Sequence, residues 1–370
     1  MKVLVTDAEY NLTLGVIRSL GRRGVAVAAA AATRRAEGFL SRYCAERLVL
    51  PPARDGERFV GALAEAARTR RVDVVLPVGY DATIACSRGR DRIAAVARLA
   101  VADADAMDVA ASKRQTLELA ERIGVPIPRT YVSADGVAEF PVVVKESLGS
   151  GHVRYANDAR ELAGAVGSDS VIQEYVRGRG YGYFALFDRG EEKAFFMHRR
   201  VREYPPTGGA STAAESVNDP ALRELGSRLL RELRWHGVAM VEFKRDERDG
   251  RYKLMEINPK FWGSLDLAIA AGVDFPWLAV QLAVGATFET PDYRAGLRHQ
   301  WVASDALRTI ARPRDAAVFA ADLLDPRVAK DVSFRDPKPN LLELAYTAVA
   351  AWRRARDGSL LYPHGRPRST

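Results

Sequence analysis

The chain has 370 residues, 48% hydrophobic, 28% charged and 8% aromatic, an ordinary globular composition that excludes disordered, collagen-like and disulfide-scaffold classes. At about 100 to 200 residues per domain, two or three domains are expected. The net charge of +8 invites a nucleic-acid reading, but the arginines are scattered among Asp and Glu, and no basic run carries interleaved aromatics.

No apolar run reaches about 18 residues, and Met1–Thr6 leads straight into a strand pattern rather than a signal peptide. Two cysteines, Cys44 and Cys86, form no disulfide framework. A cytoplasmic protein without membrane or nucleic-acid partners is therefore expected, with a homodimer as the commonest assembly. Only nine of the 55 basic residues are lysine, so each lysine draws attention as a place where an ammonium is preferred to a guanidinium.

In chain order, Val3–Thr6 reads as a buried strand, Leu12–Arg23 as an amphipathic helix and Val25–Ala31 as a second strand. A helix over 56–70, a strand over 72–77, a helical stretch near 91–98 and a short strand over 99–102 follow. Repeated βα units predict a doubly wound parallel sheet. Thr6-Asp7-Ala8-Glu9 stands where a dinucleotide fingerprint would lie, so no dinucleotide site is expected there. Ser112 is a candidate cap for a helix ended by Gly124 and Pro126. Strands over 129–132, 141–145, 153–156 and 171–175, with a helix over 158–166, make one small α+β unit. Strands over 181–187 and 193–200 lead to a Pro/Gly loop at 204–210, then a helix over 220–234. A hairpin of 238–244 and 252–258 and helices near 265–271 and 276–284 complete this part.

Four groups of residues could carry chemistry. Glu256 and Asn258 are two apart on a strand and share a face, with Glu242 on the adjacent strand. Two carboxylates and an amide oxygen suit Mg²⁺, although an acidic outer face of a hairpin reads the same way. Lys145 ends a Pro-Val-Val-Val-Lys strand before the Ser147–His152 loop, whose Gly149 and Gly151 could bring backbone N–H groups to phosphate or simply make a turn. Lys113 is a second candidate ammonium. Gln173, on a strand leaving into a linker, could meet a flat heterocycle. Arg200 and Arg202, before Tyr204-Pro205-Pro206-Thr207-Gly208-Gly209, suit a carboxylate or phosphate, or else form an exposed basic edge.

In this order the elements resemble the ATP-grasp superfamily, in particular carboxylate–amine ligase-like members related to carbamoyl-phosphate synthase and biotin carboxylase. The resemblance spans roughly Val3 to Val284. It implies an N-terminal α/β domain (1–110), a small lobe with the Gly loop (111–178) and a large lobe with the metal site (179–290); the partly helical pattern beyond them is expected to form a C-terminal helical extension (291–370). By the same resemblance, Lys113 and Lys145 would contact ATP phosphates, with Ser147, Gly149, Ser150, Gly151 and His152 folding over them. Gln173, Glu174, Tyr175 and Val176 would border adenine, and Glu242, Glu256 and Asn258 would hold Mg²⁺. Arg200, Arg202 and Lys260 would face the γ-phosphate and the acid. The implied reaction phosphorylates a carboxylate to an acylphosphate and joins it to an amine. The alternatives are phosphorylation of bicarbonate or carbamate, and a non-catalytic ATP-binding regulator. Gly180 stands near where many members place a ribose-binding carboxylate, and Lys260 where Arg is usual after Asn-Pro.

Overall fold

The computed structural model describes residues 1–149, 153–205 and 208–360 and arranges them around three sheets. The first holds β1 (Lys2–Val5), β2 (Ala26–Ala31), β3 (Cys44–Val49) and β4 (Val74–Leu76), ordered β3-β2-β1-β4 and all parallel. Successive β1 side chains face opposite ways. Val3 and Val5 pack with Val16, Ile17 and Leu20 of α1 (Asn11–Arg22), and Leu4 packs with Leu63 and Ala67 of α2 (Glu57–Thr69). A sheet covered on both faces is why β1, β2 and β4 read as apolar runs.

The strand order turns back between β1 and β4, which opens a crevice at their carboxyl ends. There Asp7 has a left-handed backbone (φ 60°), and its Oδ2 accepts the Gly79 N–H at 2.7 Å. Next come α3 (Tyr80–Arg88) and α4 (Arg90–Ala94). The strand expected over 99–102 does not form. Arg98 makes one bridge to Val74, and Val101 and Ala102 then leave to pack in the core of the third sheet.

Two helices, α5 (Ala104–Ala111) and α6 (Lys113–Arg122), lead out of this sheet; Ser112 Oγ caps α6 by accepting the Gln115 N–H. The second sheet is antiparallel: β5 (Thr130–Tyr131), β6 (Val142–Glu146), β7 (Arg154–Ala156) and β8 (Ser170–Glu174), ordered β5-β8-β6-β7. With α7 (Ala159–Ala165) it buries a small core of Val142, Val144, Ala156, Leu162 and Ile172.

The third sheet is built on β9 (Gly178–Asp188), β10 (Glu191–Tyr204), β11 (Ala210–Ser216), β12 (Gly237–Asp246) and β13 (Tyr252–Asn258). One face packs Tyr183, Ala185 and Phe187 on α8 (Pro220–Glu232). The other packs Phe184, Leu186 and Phe196 on α9 (Leu265–Ala271) and α10 (Phe275–Ala283), in the same core that covers α1. The segment from 291 onward is not only helical. It adds β14 (Arg298–Gln300) and β15 (Ala329–Lys330), giving the order β13-β12-β9-β10-β11-β14-β15, together with α11 (Val302–Ala311), α12 (Ala316–Leu324) and α13 (Pro337–Arg356).

This last segment returns to the first sheet. Buried Arg18 of α1 donates to Asp336 Oδ2 at 2.9 Å, to Asn340 Oδ1 at 2.8 Å and to the Asp331 carbonyl at 3.1 Å. Among the described residues no single helix is long and apolar enough to cross a membrane; the apolar pair α9 and α10 bends by 89°.

Candidate active site

A cavity of about 490 Å³ lies between the second and third sheets. The second sheet and α6 bring Lys113, Lys145 and the 173–176 strand exit to it; the third brings Arg200, Glu242, Lys244 and Glu256. Lys145 Nζ donates to Gln173 Oε1 at 3.0 Å, and burial pulls its pKa down to about 8 against the opposing pull of Glu256 and Glu242. Lys113, at the first turn of α6, donates to the Gly149 carbonyl at 2.5 Å and lies 4.0 Å from Glu256. Its backbone N–H donates to the Ser147 carbonyl, which ties the start of the loop to the helix.

Glu242 and Glu256 are direct partners in the β12–β13 ladder, and Asn258 Nδ2 donates to Glu256 Oε1 at 2.8 Å. Burial pushes the Glu242 carboxyl up from its ordinary value, and the Arg200 guanidinium opposes that rise. Arg200 reaches Glu242 Oε1 at 2.7 Å by lying across β9. Gly180 makes this route available, because a Cβ there would fall 2.8 Å from Arg200 Cδ. Among the described residues no group of three or more His, Cys, Asp or Glu side chains could hold a metal. The set of two carboxylates and one amide is what a Mg²⁺ ion completed by phosphate oxygens would need from a protein.

A second cavity, of about 580 Å³, runs from this point toward the carboxyl end of β1. It shares Arg200, Ala210 and Glu242 with the first and adds Asn258, Lys260, His198, Trp262 and Trp301. Burial lowers the Lys260 pKa, with Glu256 and Asp7 pulling the other way. His198 Nε2 lies 2.7 Å from Ser264 Oγ, and burial drops its pKa to about 3, so the ring is neutral at ordinary pH.

Of the residues singled out from the sequence, Lys113, Lys145, Gln173, Glu174, Tyr175, Val176, Arg200, Glu242 and Glu256 line the first cavity, and Asn258 and Lys260 line the second. Arg202 is a correction. It lies outside both cavities, buried between Asp305, to which it donates at 2.6 and 3.0 Å, and Asp322, to which it donates at 2.6 Å. A bulge between residues 200 and 202 breaks the two-residue alternation that would have put both arginines on one face. Ser147 is another: it is buried and its N–H donates to the Asp169 carbonyl, so it is not available to cradle phosphate. The Gln173 amide is engaged by Lys145 and Thr130 rather than open to a heterocycle, and the Glu174 carboxylate pairs with Arg248 and Lys253, leaving its backbone at the cavity. Gly149 has φ 75° and accepts from Lys113. Ser150, Gly151 and His152 lie outside the described residues.

Lys244 went unnoticed in the sequence. Its Nζ donates to the Val176 carbonyl at 3.2 Å and stands over the Tyr175 ring. The rarity of lysine was the available signal: four of nine line these two cavities.

The three sheets have the arrangement of an ATP-grasp fold. Within that class, residues 168–304 match the family described as ATP-grasp in the biosynthetic pathway with Ter operon. Solved structures of similar fold include biotin carboxylase from Campylobacter jejuni in a β-γ-ATP complex, with 15% identity over 79% of this chain and 73% of that one (TM-score 0.63). The biotin carboxylase domain of Hydrogenobacter thermophilus 2-oxoglutarate carboxylase, a dimer with MgADP and bicarbonate, shares 16% identity over 80% and 73% (TM-score 0.62). L-amino acid ligase from Bacillus licheniformis shares 17% over 79% and 75% (TM-score 0.62). No curated protein matches the chain.

Proposed function

We propose that the protein is an ATP- and Mg²⁺-dependent ligase that phosphorylates a small-molecule carboxylate to an acylphosphate and joins it to an amine, releasing ADP and phosphate. The observation that carries this reading is the shared wall. Arg200 and Glu242 belong to both cavities, so a nucleotide in the first would present its terminal phosphate to an acid in the second.

In the first step a carboxylate oxygen bonds to the γ-phosphorus and the bond to the β-phosphate oxygen breaks. In the second the amine nitrogen attacks the acyl carbon, phosphate leaves, and the amine gives up a proton. Such chemistry asks the protein for in-line placement and charge neutralisation rather than a covalent group. Lys113 and Lys145 serve the phosphates, Arg200 the transferred group, and Lys260 the acid. Glu242, Glu256 and Asn258 would hold Mg²⁺, which neutralises charge between the β- and γ-phosphates. At about 580 Å³ the second cavity suits an acid larger than bicarbonate.

The test is phosphate release from ATP with Mg²⁺ and a panel of acids, with hydroxylamine as the trapping amine. Acid-dependent hydroxamate supports the reading. ATP binding without any acid-dependent hydroxamate would sink it.

A further inference from the structure

The wall of the second cavity away from Arg200 and Lys260 is acidic. Glu37, on a short 3₁₀ turn after β2, and Asp266 of α9 both line it. Glu37 is 5% exposed, and neither carboxylate makes a hydrogen bond or salt bridge among the described residues. Asp266 occupies space that a side chain at position 15 would take: a Cβ on Gly15 would meet its Oδ1 at 2.9 Å. Behind this wall stands Glu343 of α13, which accepts from Asn11, a residue of the cavity lining. Asp331 lies behind as well.

Burial pushes these carboxyls up, Glu37 and Glu343 to about 7 and Asp331 to about 8, and repulsion by neighbouring acids adds to the rise at Glu343 and Asp331. The facing cations are Arg18 and Arg22, and Arg18 is already held by Asp336 and Asn340. The charges acting on Lys260 are Glu256 and Asp7 and none of these acids. Among the described residues no group of three acids there is disposed for a metal.

We propose that the acid activated in this cavity carries an ammonium or guanidinium group remote from its carboxylate, received by Glu37 and Asp266 while the carboxylate meets Lys260 and Arg200. This rests on the ligase reading for the carboxylate end alone. The cationic end stands on an unpartnered, nearly buried carboxylate facing the cavity.

The probes are two matched pairs differing only in a terminal ammonium: 6-aminohexanoate against hexanoate, and L-lysine against L-norleucine. Calorimetry on the full chain without ATP reads binding, and hydroxamate formation with ATP and Mg²⁺ reads activation. The cationic member of each pair is expected to bind at least about tenfold more tightly, as a charge-assisted contact to a buried carboxylate allows. Glu37→Gln, with Asp266→Asn as a second variant, should shrink that ratio to about threefold or less at unchanged melting temperature. Equal binding within each pair, or no binding by any of the four, overturns the inference. Equal hydroxamate from charged and neutral acids overturns it too while leaving the ligase reading intact. If the cationic acids bind selectively but no acid yields hydroxamate, the ligase reading falls and the acidic pole stands.

Discussion

Arg200 and Glu242 meet at 2.7 Å although their strands, β10 and β12, are separated by β9. The guanidinium crosses the intervening strand over Gly180, where no side chain stands in the way. This pair forms the seam between the two cavities, and its geometry depends on a residue that contributes no functional group.

The substitution Gly180→Ala therefore displaces Arg200 through its flexible end and leaves the backbone alone. Loss of one charge-assisted contact in a desolvated site should lower ATP-dependent phosphate release by about 10- to 100-fold. The melting temperature should move by no more than about 3 °C. Wild-type turnover in the Gly180→Ala variant would show that the crossing is dispensable.

Glu256→Gln keeps shape and the Asn258 contact but removes a charge from the donor set. Turnover should fall by about 10³-fold, with the Mg²⁺ concentration for half-maximal rate shifted upward. Titration of Mg²⁺ against phosphate release, alongside a thermal melt to verify folding, checks this.

Lys145 gives a pH signature. Its pKa is pulled down to about 8, so the ammonium proposed to meet phosphate is lost as pH rises through 8 in the free protein. The value of kcat/KM for ATP should fall about tenfold per pH unit above that point. Lys145→Arg keeps its charge throughout and should flatten that limb even if its rate at pH 7 is lower. A wild-type profile level to about pH 9.5 contradicts the assignment.

Arg202 is expected to matter for stability alone. Arg202→Met leaves Asp305 and Asp322 buried without their shared cation, at a cost of about 3 to 5 kcal/mol. Denaturant unfolding should register this loss, whereas ATP affinity of the folded protein should stay within about threefold. A large rise in the ATP dissociation constant with unchanged stability would return Arg202 to the site.

Where the sequence spoke clearly, one period dominated. The alternation through Val238–Lys244 and Tyr252–Asn258 made Glu242, Glu256 and Asn258 neighbours, and the pairing is regular from Met240–Asn258 to Glu242–Glu256, the hairpin's one register shift falling just beyond, between Glu242 and Phe243. Arg202 misled for the opposite reason: the β10–β11 register shifts on either side of it and is regained at Glu203, so this one residue leaves the alternation, and Arg-Val-Arg carries no mark of it. The edge strand β3 was invisible because Cys44–Val49 sets Glu46 and Arg47 side by side and buries only Leu48, so it shows no apolar run. Glu37 and Asp266 lie 229 positions apart in the chain, and only the packing of α1 against α9 brings them to one wall. Local pattern cannot report such a meeting.

The helix at 337–356 contributes Tyr346 to the second cavity and Glu343 to Asn11, while Asp336 just before it holds Arg18. Every residue lining the first cavity precedes position 257, whereas the second draws part of its wall from Trp301, Ser304 and Tyr346, so the tail of the chain bears on one chamber and not on the other.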